Sequence, residues 1–81
     1  MSIVYERRSK EIVYYVYKCK TGGYGVSVVH RSGDTAMLPS CFPNVKDAEN
    51  FVRYLRRNEI NPVGLQSAAR AFQTEYRRKA V

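Results

Sequence analysis

The segment YGVSVVHRSGDTAMLPSCFPNVKDAENFVRYL, residues 24–55, contains the change of hydrophobic period that decides the fold. Before Pro43, apolar residues alternate with other residues, which is the period of a strand. After Pro43, they recur every three or four residues, which is the period of a helix. These positions are Tyr24, Val26 and Val28 in the first part and Ala48, Phe51, Val52 and Leu55 in the second. The sequence therefore predicts a small sheet followed by helices.

Short turns separate four segments with strand character. The predicted strands cover residues 3–8, 11–19, 24–30 and 35–38. The second of them, EIVYYVYKC, is the densest in β-branched and aromatic residues. Gly22 and Gly23 can supply the positive φ angles of a tight hairpin, and Pro39 is expected to end the fourth strand. Consecutive strands joined by short turns predict an antiparallel meander.

Two helices are predicted after the sheet. Asn44 is a favourable N-cap with an acidic residue three positions later, and the first helix should run to about Asn58. Asn61 followed by Pro62 is typical of a second helix start. The apolar stripe of that helix is Leu65, Ala68, Ala69, Phe72 and Tyr76.

Two helices can cover only one face of a sheet. We therefore expect an α+β fold, a three- to four-stranded antiparallel meander followed by two helices packed on one sheet face. A single domain should span residues 1–81, with the sheet in residues 1–38 and the two-helix layer in residues 44–79. The predicted core includes Tyr24, Val26, Val28, Leu38, Ala48, Phe51, Val52, Leu55, Ile60, Leu65, Ala69 and Phe72.

The charge of the chain favours anionic partners. Fourteen Lys and Arg residues against seven Asp and Glu residues give a net charge of +7, spread over both halves. Nucleic acid, an acidic protein or an anionic membrane surface would each be attracted, and plain solubility is the other interpretation. No apolar run reaches the ~18 residues of a membrane helix, and the N-terminus lacks a signal-peptide pattern, so we expect a cytoplasmic protein without membrane contact.

The residues do not favour catalysis or metal binding. The chain has one histidine, its acids are scattered, and its serines lack a nucleophile-elbow context. The glycine-rich stretch of residues 22–25 precedes a strand and not a helix, so it does not form a phosphate-binding fingerprint. Cys19, His30 and Cys41 do not have zinc-ligand spacing and are expected to be buried thiols and a lone imidazole. We expect no enzymatic activity, no catalytic residue, no metal and no cofactor.

The tyrosine-rich strand is the first candidate for function. One side carries Ile12, Tyr14 and Val16, and the other carries Val13, Tyr15, Tyr17 and Cys19. A strand with one solvated face would alternate with polar residues. Either the N-terminal strand or residues 39–43 fold over the second side, or that side is a contact surface. Such a surface could form a homodimer, pack on a partner protein, or stack unpaired bases on Tyr15 and Tyr17.

The helical arginines are the second candidate. Arg53, Arg56 and Arg57 gather on the polar side of the first helix, while Arg70 and Arg77 share one side of the second, followed by Arg78. Arginine side chains can contact phosphates and bases. The same pattern is also typical of the solvated face of an amphipathic helix.

The motifs Tyr24-Gly25-Val26 and Asn58-Glu59-Ile60-Asn61-Pro62, together with the capped helix start at Phe42-Pro43-Asn44, support a comparison with known families. Over residues 12–72 the chain resembles a family of short bacterial proteins catalogued as a domain of unknown function. The resemblance implies the same order of strands and helices, and no assigned activity or site. The arginines of the second helix replace the more acidic helix end expected in that family.

These observations leave two hypotheses for function. The preferred one is a small, non-enzymatic regulatory module that binds nucleic acid through the basic helix faces and the sheet tyrosines. The alternative is a protein–protein interaction module or inhibitor, which can be homodimeric and docks through the tyrosine-rich sheet face. Both remain open because arginine and tyrosine are favoured at both kinds of interface.

Overall fold

A computed structural model of the protein describes the backbone of residues 2–80 and the side chains of residues 2–39 and 42–74. The strands are β1 (Ser2–Ser9), β2 (Ile12–Lys18), β3 (Tyr24–His30) and β4 (Thr35–Phe42). The helices are α1 (Val45–Arg57), a 3-10 turn (Pro62–Gly64) and α2 (Leu65–Ala80). The strands form one antiparallel sheet in the order β1-β2-β3-β4, and both helices pack against it. The predicted α+β fold is confirmed.

The turns of the meander form where the sequence placed them. Gly22 and Gly23, between β2 and β3, have φ angles of +89° and +78°. Residues with a Cβ atom are strained in this conformation, whereas glycine is not. Between β1 and β2, Lys10 takes a φ of +48° because Ser9 pairs directly with Ile12 and leaves only two residues to reverse the chain.

Strand β4 is longer than the sequence predicted. It was expected to end at Leu38, before Pro39, but it continues to Phe42. Proline is tolerated here because β4 is an edge strand, where a missing N–H need not serve a neighbour. The register also shifts at this point: Val26 pairs with Leu38 and Tyr24 with Phe42, so β4 uses more residues than β3 over this stretch. The continuation brings Phe42 into the core.

Both ends of α1 are capped. The Asn44 side-chain carbonyl accepts a hydrogen bond of 2.9 Å from the Asp47 N–H, and the Asn44 amide donates to the Asp47 carboxylate. At the other end, the Ile60 N–H donates to the Leu55 carbonyl and the Glu59 N–H to the Arg56 carbonyl. These two bonds form a Schellman motif, and Glu59 holds the left-handed position with a φ of +49°.

The second helix begins differently from the prediction. Asn61 makes no side-chain capping bond, and Pro62 opens a 3-10 turn instead of the α-helix itself. The α-helical bonds begin only at Leu65. Leu65, Ala68 and Ala69 are buried, as their spacing predicted, and Tyr76 lies outside the described side chains.

The core lies between the helices and one face of the sheet. Its buried members are Ile12, Tyr14, Val16, Val26, Val28, Leu38, Phe42, Ala48, Phe51, Val52, Leu55, Leu65, Ala68 and Ala69. Tyr24, Ile60 and Phe72, which were predicted to be buried, are half-buried and pack at its margin. The Tyr14 ring is fully buried, and its hydroxyl donates to the Ile60 carbonyl at 3.1 Å, which ties the link between the helices to β2.

Candidate functional site

Four arginines line a cleft between α1 and the edge strand β1. Arg53, Arg56 and Arg57 are exposed on α1, which packs over β1 and β2. Arg7 comes from β1 and points to the same side of the sheet, because its partner across the strands is the buried Tyr14. The four side chains surround a volume of about 320 Å³, which we call the arginine cleft.

Two of the guanidinium groups in the cleft are held by hydrogen bonds through Nε. Arg53 Nε lies 3.4 Å from the Tyr5 hydroxyl, and Arg56 Nε donates to the Arg8 carbonyl at 2.9 Å. A guanidinium carries five N–H donors. Within the described part of the chain no other hydrogen bond engages these two groups, so their terminal nitrogens can donate to a ligand.

Tyr5 organises the cleft from the β1 side. The Arg7 guanidinium lies 4.3 Å from the centre of the Tyr5 ring, a cation–π contact, while the Tyr5 hydroxyl contacts Arg53. The hydrogen bond to Tyr5 raises the pKa of Arg53 above its already high ordinary value, so this side chain stays charged. One aromatic residue thus positions two of the four cations.

Among the described residues, no carboxylate forms an ion pair with an arginine of the cleft. The ion pairs among the described side chains join Arg8 to Glu6, Lys10 to Glu59 and His30 to Glu11, and none of them includes an arginine of the cleft. Glu49 acts on Arg53 only from beyond ion-pair distance. Like charges brought together repel, and an anion bound in the cleft would reduce this repulsion.

The arginines predicted from the sequence separate into two groups. Arg53, Arg56 and Arg57 come together in the cleft, whereas Arg70 is exposed on α2 and does not line it. Arg77 and Arg78 lie outside the described side chains. Arg7 was not singled out, because its position depends on strand register and not on any local pattern.

The face of the sheet opposite the helices carries a second surface, which we call the open face. Strand register places eleven residues on the side of the sheet that faces away from the core. They are Ile3, Glu6, Arg8, Val13, Tyr15, Tyr17, Gly25, Ser27, Val29, Thr35 and Met37. Val13, Tyr15 and Val29 are half-buried at its centre. At its margins Ile3 is 60% exposed and Met37 46% exposed. Neither segment expected to fold over this face does so, because one forms β1 and the other extends β4.

Tyr17 requires a correction. It was predicted to stack on a base, but it is only 5% exposed. Its ring lies across the neighbouring strand at Gly25, where the missing side chain leaves room for it: a Cβ at Gly25 would overlap the Tyr17 ring. A buried ring cannot receive a base in this conformation, so Tyr15 is the member of the pair that presents a partly exposed ring.

The arginine cleft and Tyr15 are on opposite sides of the sheet. Arg7 shares a face with Tyr14, while Tyr15 shares a face with Glu6. A single bound strand that meets the arginines therefore does not also meet Tyr15 unless it passes around the β1 edge. The basic helix face and the sheet tyrosines, which the sequence analysis combined in one binding site, therefore belong to two separate surfaces.

The remaining polar groups form local contacts. Ser32 bridges His30 and Asp34 in the β3–β4 turn, where its N–H donates to His30 Nδ1 at 3.0 Å and its hydroxyl to Asp34 at 3.3 Å. Cys19 is half-buried and not fully buried as expected, and the Cys41 side chain lies outside the described residues. Among the described residues, no cluster of three or more His, Cys, Asp or Glu is arranged to hold a metal ion.

Neither of the described helices has the length and apolar character required to cross a membrane. Comparisons with family models, with curated proteins and with solved structures find no match to this chain. The resemblance to a bacterial domain of unknown function therefore stays a prediction.

Proposed function

We propose that this protein is a non-catalytic module that binds nucleic acid through the phosphate backbone, with the arginine cleft as its binding site. The observation that carries the proposal is the convergence of Arg7, Arg53, Arg56 and Arg57 on one cleft, without a carboxylate paired to any of them. Arginine presents a planar fork of donors that matches two phosphate oxygens at once. A bound phosphate would relieve the repulsion between the four cations.

The cleft favours binding that does not depend on base sequence. The face of Tyr5 that could stack on a base is covered by the Arg7 guanidinium. Contacts to phosphates position a nucleic acid but carry no sequence information. We therefore expect similar affinities for oligonucleotides of unrelated sequence.

The salt dependence of binding tests this proposal. Each phosphate contacted on a single strand contributes about −0.7 to the slope of log K against log salt concentration. Contact with about four phosphates gives a slope near −2.8, so affinity should fall about 50-fold between roughly 50 and 200 mM salt. Fluorescence anisotropy with a labelled oligonucleotide measures this slope directly.

The decisive variant is Arg53→Gln/Arg56→Gln/Arg57→Gln. We expect its slope to decrease to about −0.7, because about one phosphate contact remains. The matched control is Lys18→Gln/Lys20→Gln/Arg31→Gln, which removes three charges from exposed positions outside the cleft. The proposal fails if the two triple variants lose affinity and slope equally, or if the wild-type protein binds no nucleic acid at low salt. Melting curves of both variants check that they remain folded.

A further inference from the structure

We propose that the open face is the site where a second copy of this chain binds, so that two sheets pack face to face in a homodimer. This inference is independent of nucleic-acid binding, because the open face and the arginine cleft share no residue. It depends on three features of the open face: its apolar content, its charge and its area.

Four apolar residues of the open face adjoin one another across three strands. Val13 pairs directly with Val29, Tyr15 lies two residues from Val13 on the same side of β2, and Met37 is the diagonal neighbour of Val29 on β4. The polar Ser27 and Thr35 complete these two cross-strand rows. Exposed apolar groups that adjoin one another mark contact surfaces more often than isolated ones do. Packing of two such faces is the arrangement of β-sandwiches, in which side chains of the two sheets interdigitate.

The charge of the open face favours a second copy over an acidic protein. The chain carries +7, yet Glu6 and Arg8 are the charged residues that the described strand pairing places on this face. They form an ion pair of 2.9 Å with each other. Lys10, Glu11 and Arg31 border the face only at its end next to the β1–β2 turn, where Lys10 is paired with Glu59 and Glu11 with His30. An acidic partner would gain little attraction from the uncharged centre of the face, whereas a second copy meets no like charge there.

The area of the open face is sufficient for a specific but weak interface. Four strands about 4.8 Å apart, each 7 or 8 residues long at about 3.3 Å per residue, give a footprint of roughly 480 Å². Two such footprints total about 1,000 Å², which is near the lower limit for a specific interface. We therefore expect a dimer that forms and dissociates with concentration.

Sedimentation equilibrium over a range of about 1 to 500 µM, without nucleic acid, measures this association. The variants Tyr15→Lys and Met37→Lys each place an ammonium group on the open face, where pairing would have to bury it. We expect each to raise the dimer dissociation constant by about tenfold or more. The matched control is Val63→Lys, because Val63 is 92% exposed on the 3-10 turn and lies off the open face.

Three results would overturn the inference. The first is a protein that stays monomeric at every concentration, even if it binds some other protein. The second is a Val63→Lys effect as large as that of Met37→Lys. The third is a dimer that survives both open-face variants, since this would indicate pairing through the free edge of β1. The arginine-cleft triple variant should keep the wild-type dimer constant, so failure of this inference and failure of nucleic-acid binding are distinguishable.

Discussion

The buried hydroxyl of Tyr14 offers a direct test of how the helical link is held on the sheet. The substitution Tyr14→Phe keeps the ring in the core and removes the 3.1 Å hydrogen bond to the Ile60 carbonyl. A hydrogen bond of this kind contributes about 0.5–1.5 kcal/mol net, and a buried carbonyl left without its partner costs about 1–3 kcal/mol. The link is only partly buried, so water can partly replace the hydroxyl. We expect a loss of about 1–2 kcal/mol in the free energy of unfolding at neutral pH.

The same substitution has a pH dependence of known sign. Burial raises the pKa of Tyr14 above its ordinary value of 10.0, and Glu59 adds to this effect while Arg56 opposes it. Above pH 10 the unfolded chain loses the Tyr14 proton while the folded chain retains it, so this group's contribution to wild-type stability falls with rising pH. Phenylalanine has no such proton. The stability difference between the two proteins should therefore narrow above pH 10.

Urea unfolding at neutral pH and at several values above pH 10 measures both effects. The six other tyrosines are present in both proteins, so their contribution largely cancels in the difference. A difference below about 0.5 kcal/mol at neutral pH would refute the role of the hydrogen bond. A difference that stays constant or widens at high pH would contradict the assigned direction of the Tyr14 pKa.

Two further predictions concern the backbone. Gly25→Ala should cost about 1–3 kcal/mol in urea unfolding, because its Cβ would overlap the Tyr17 ring and lie 2.8 Å from the Leu38 carbonyl oxygen; a cost no greater than that of Ser27→Ala on the same strand would contradict the packing described. Glu59→Gly should raise the free energy of unfolding by up to about 1 kcal/mol, because glycine adopts the φ of +49° without strain. The substitution also removes the exposed ion pair between Glu59 and Lys10 (3.8 Å), which contributes little to stability. A variant that is less stable than the wild-type protein would contradict this prediction.

The elements of this fold were largely predictable because each has a local cause. The alternation of apolar residues predicted β3 with its observed bounds. The Gly22-Gly23 pair predicted the central hairpin, and Asn44 predicted the start of α1. The ends that sequence reasoning missed depend on tertiary context. Pro39 is accepted within β4 because this strand lies at an edge of the sheet. Glu59 adopts a left-handed conformation that glycine usually occupies at the end of a helix, so a glutamate there did not indicate it.

The candidate site was only partly predictable because it depends on register. Ile3 pairs with Tyr17 and Tyr5 pairs with Val16, so β1 contains one extra residue between these pairs. Without this bulge, Tyr5 and Arg7 would lie on the same face as Ile3, because alternate residues of a strand share a face. No composition or spacing in β1 indicates the bulge. The three arginines of α1 were predictable from helical spacing, while the fourth arginine of the cleft was not.

The bulge also explains why the two proposed surfaces do not compete. By turning Tyr5 and Arg7 toward α1, the bulge adds a cation to the helix side of the sheet and keeps it off the open face. In a face-to-face dimer the two arginine clefts would then point outward, each separated from the other by both sheets. An oligonucleotide too short to pass around the dimer would bind each cleft with the affinity of the monomer. A longer strand that reaches both clefts would gain from the raised effective concentration of the second site. Dimer formation should therefore increase affinity for long strands and leave affinity for short ones unchanged.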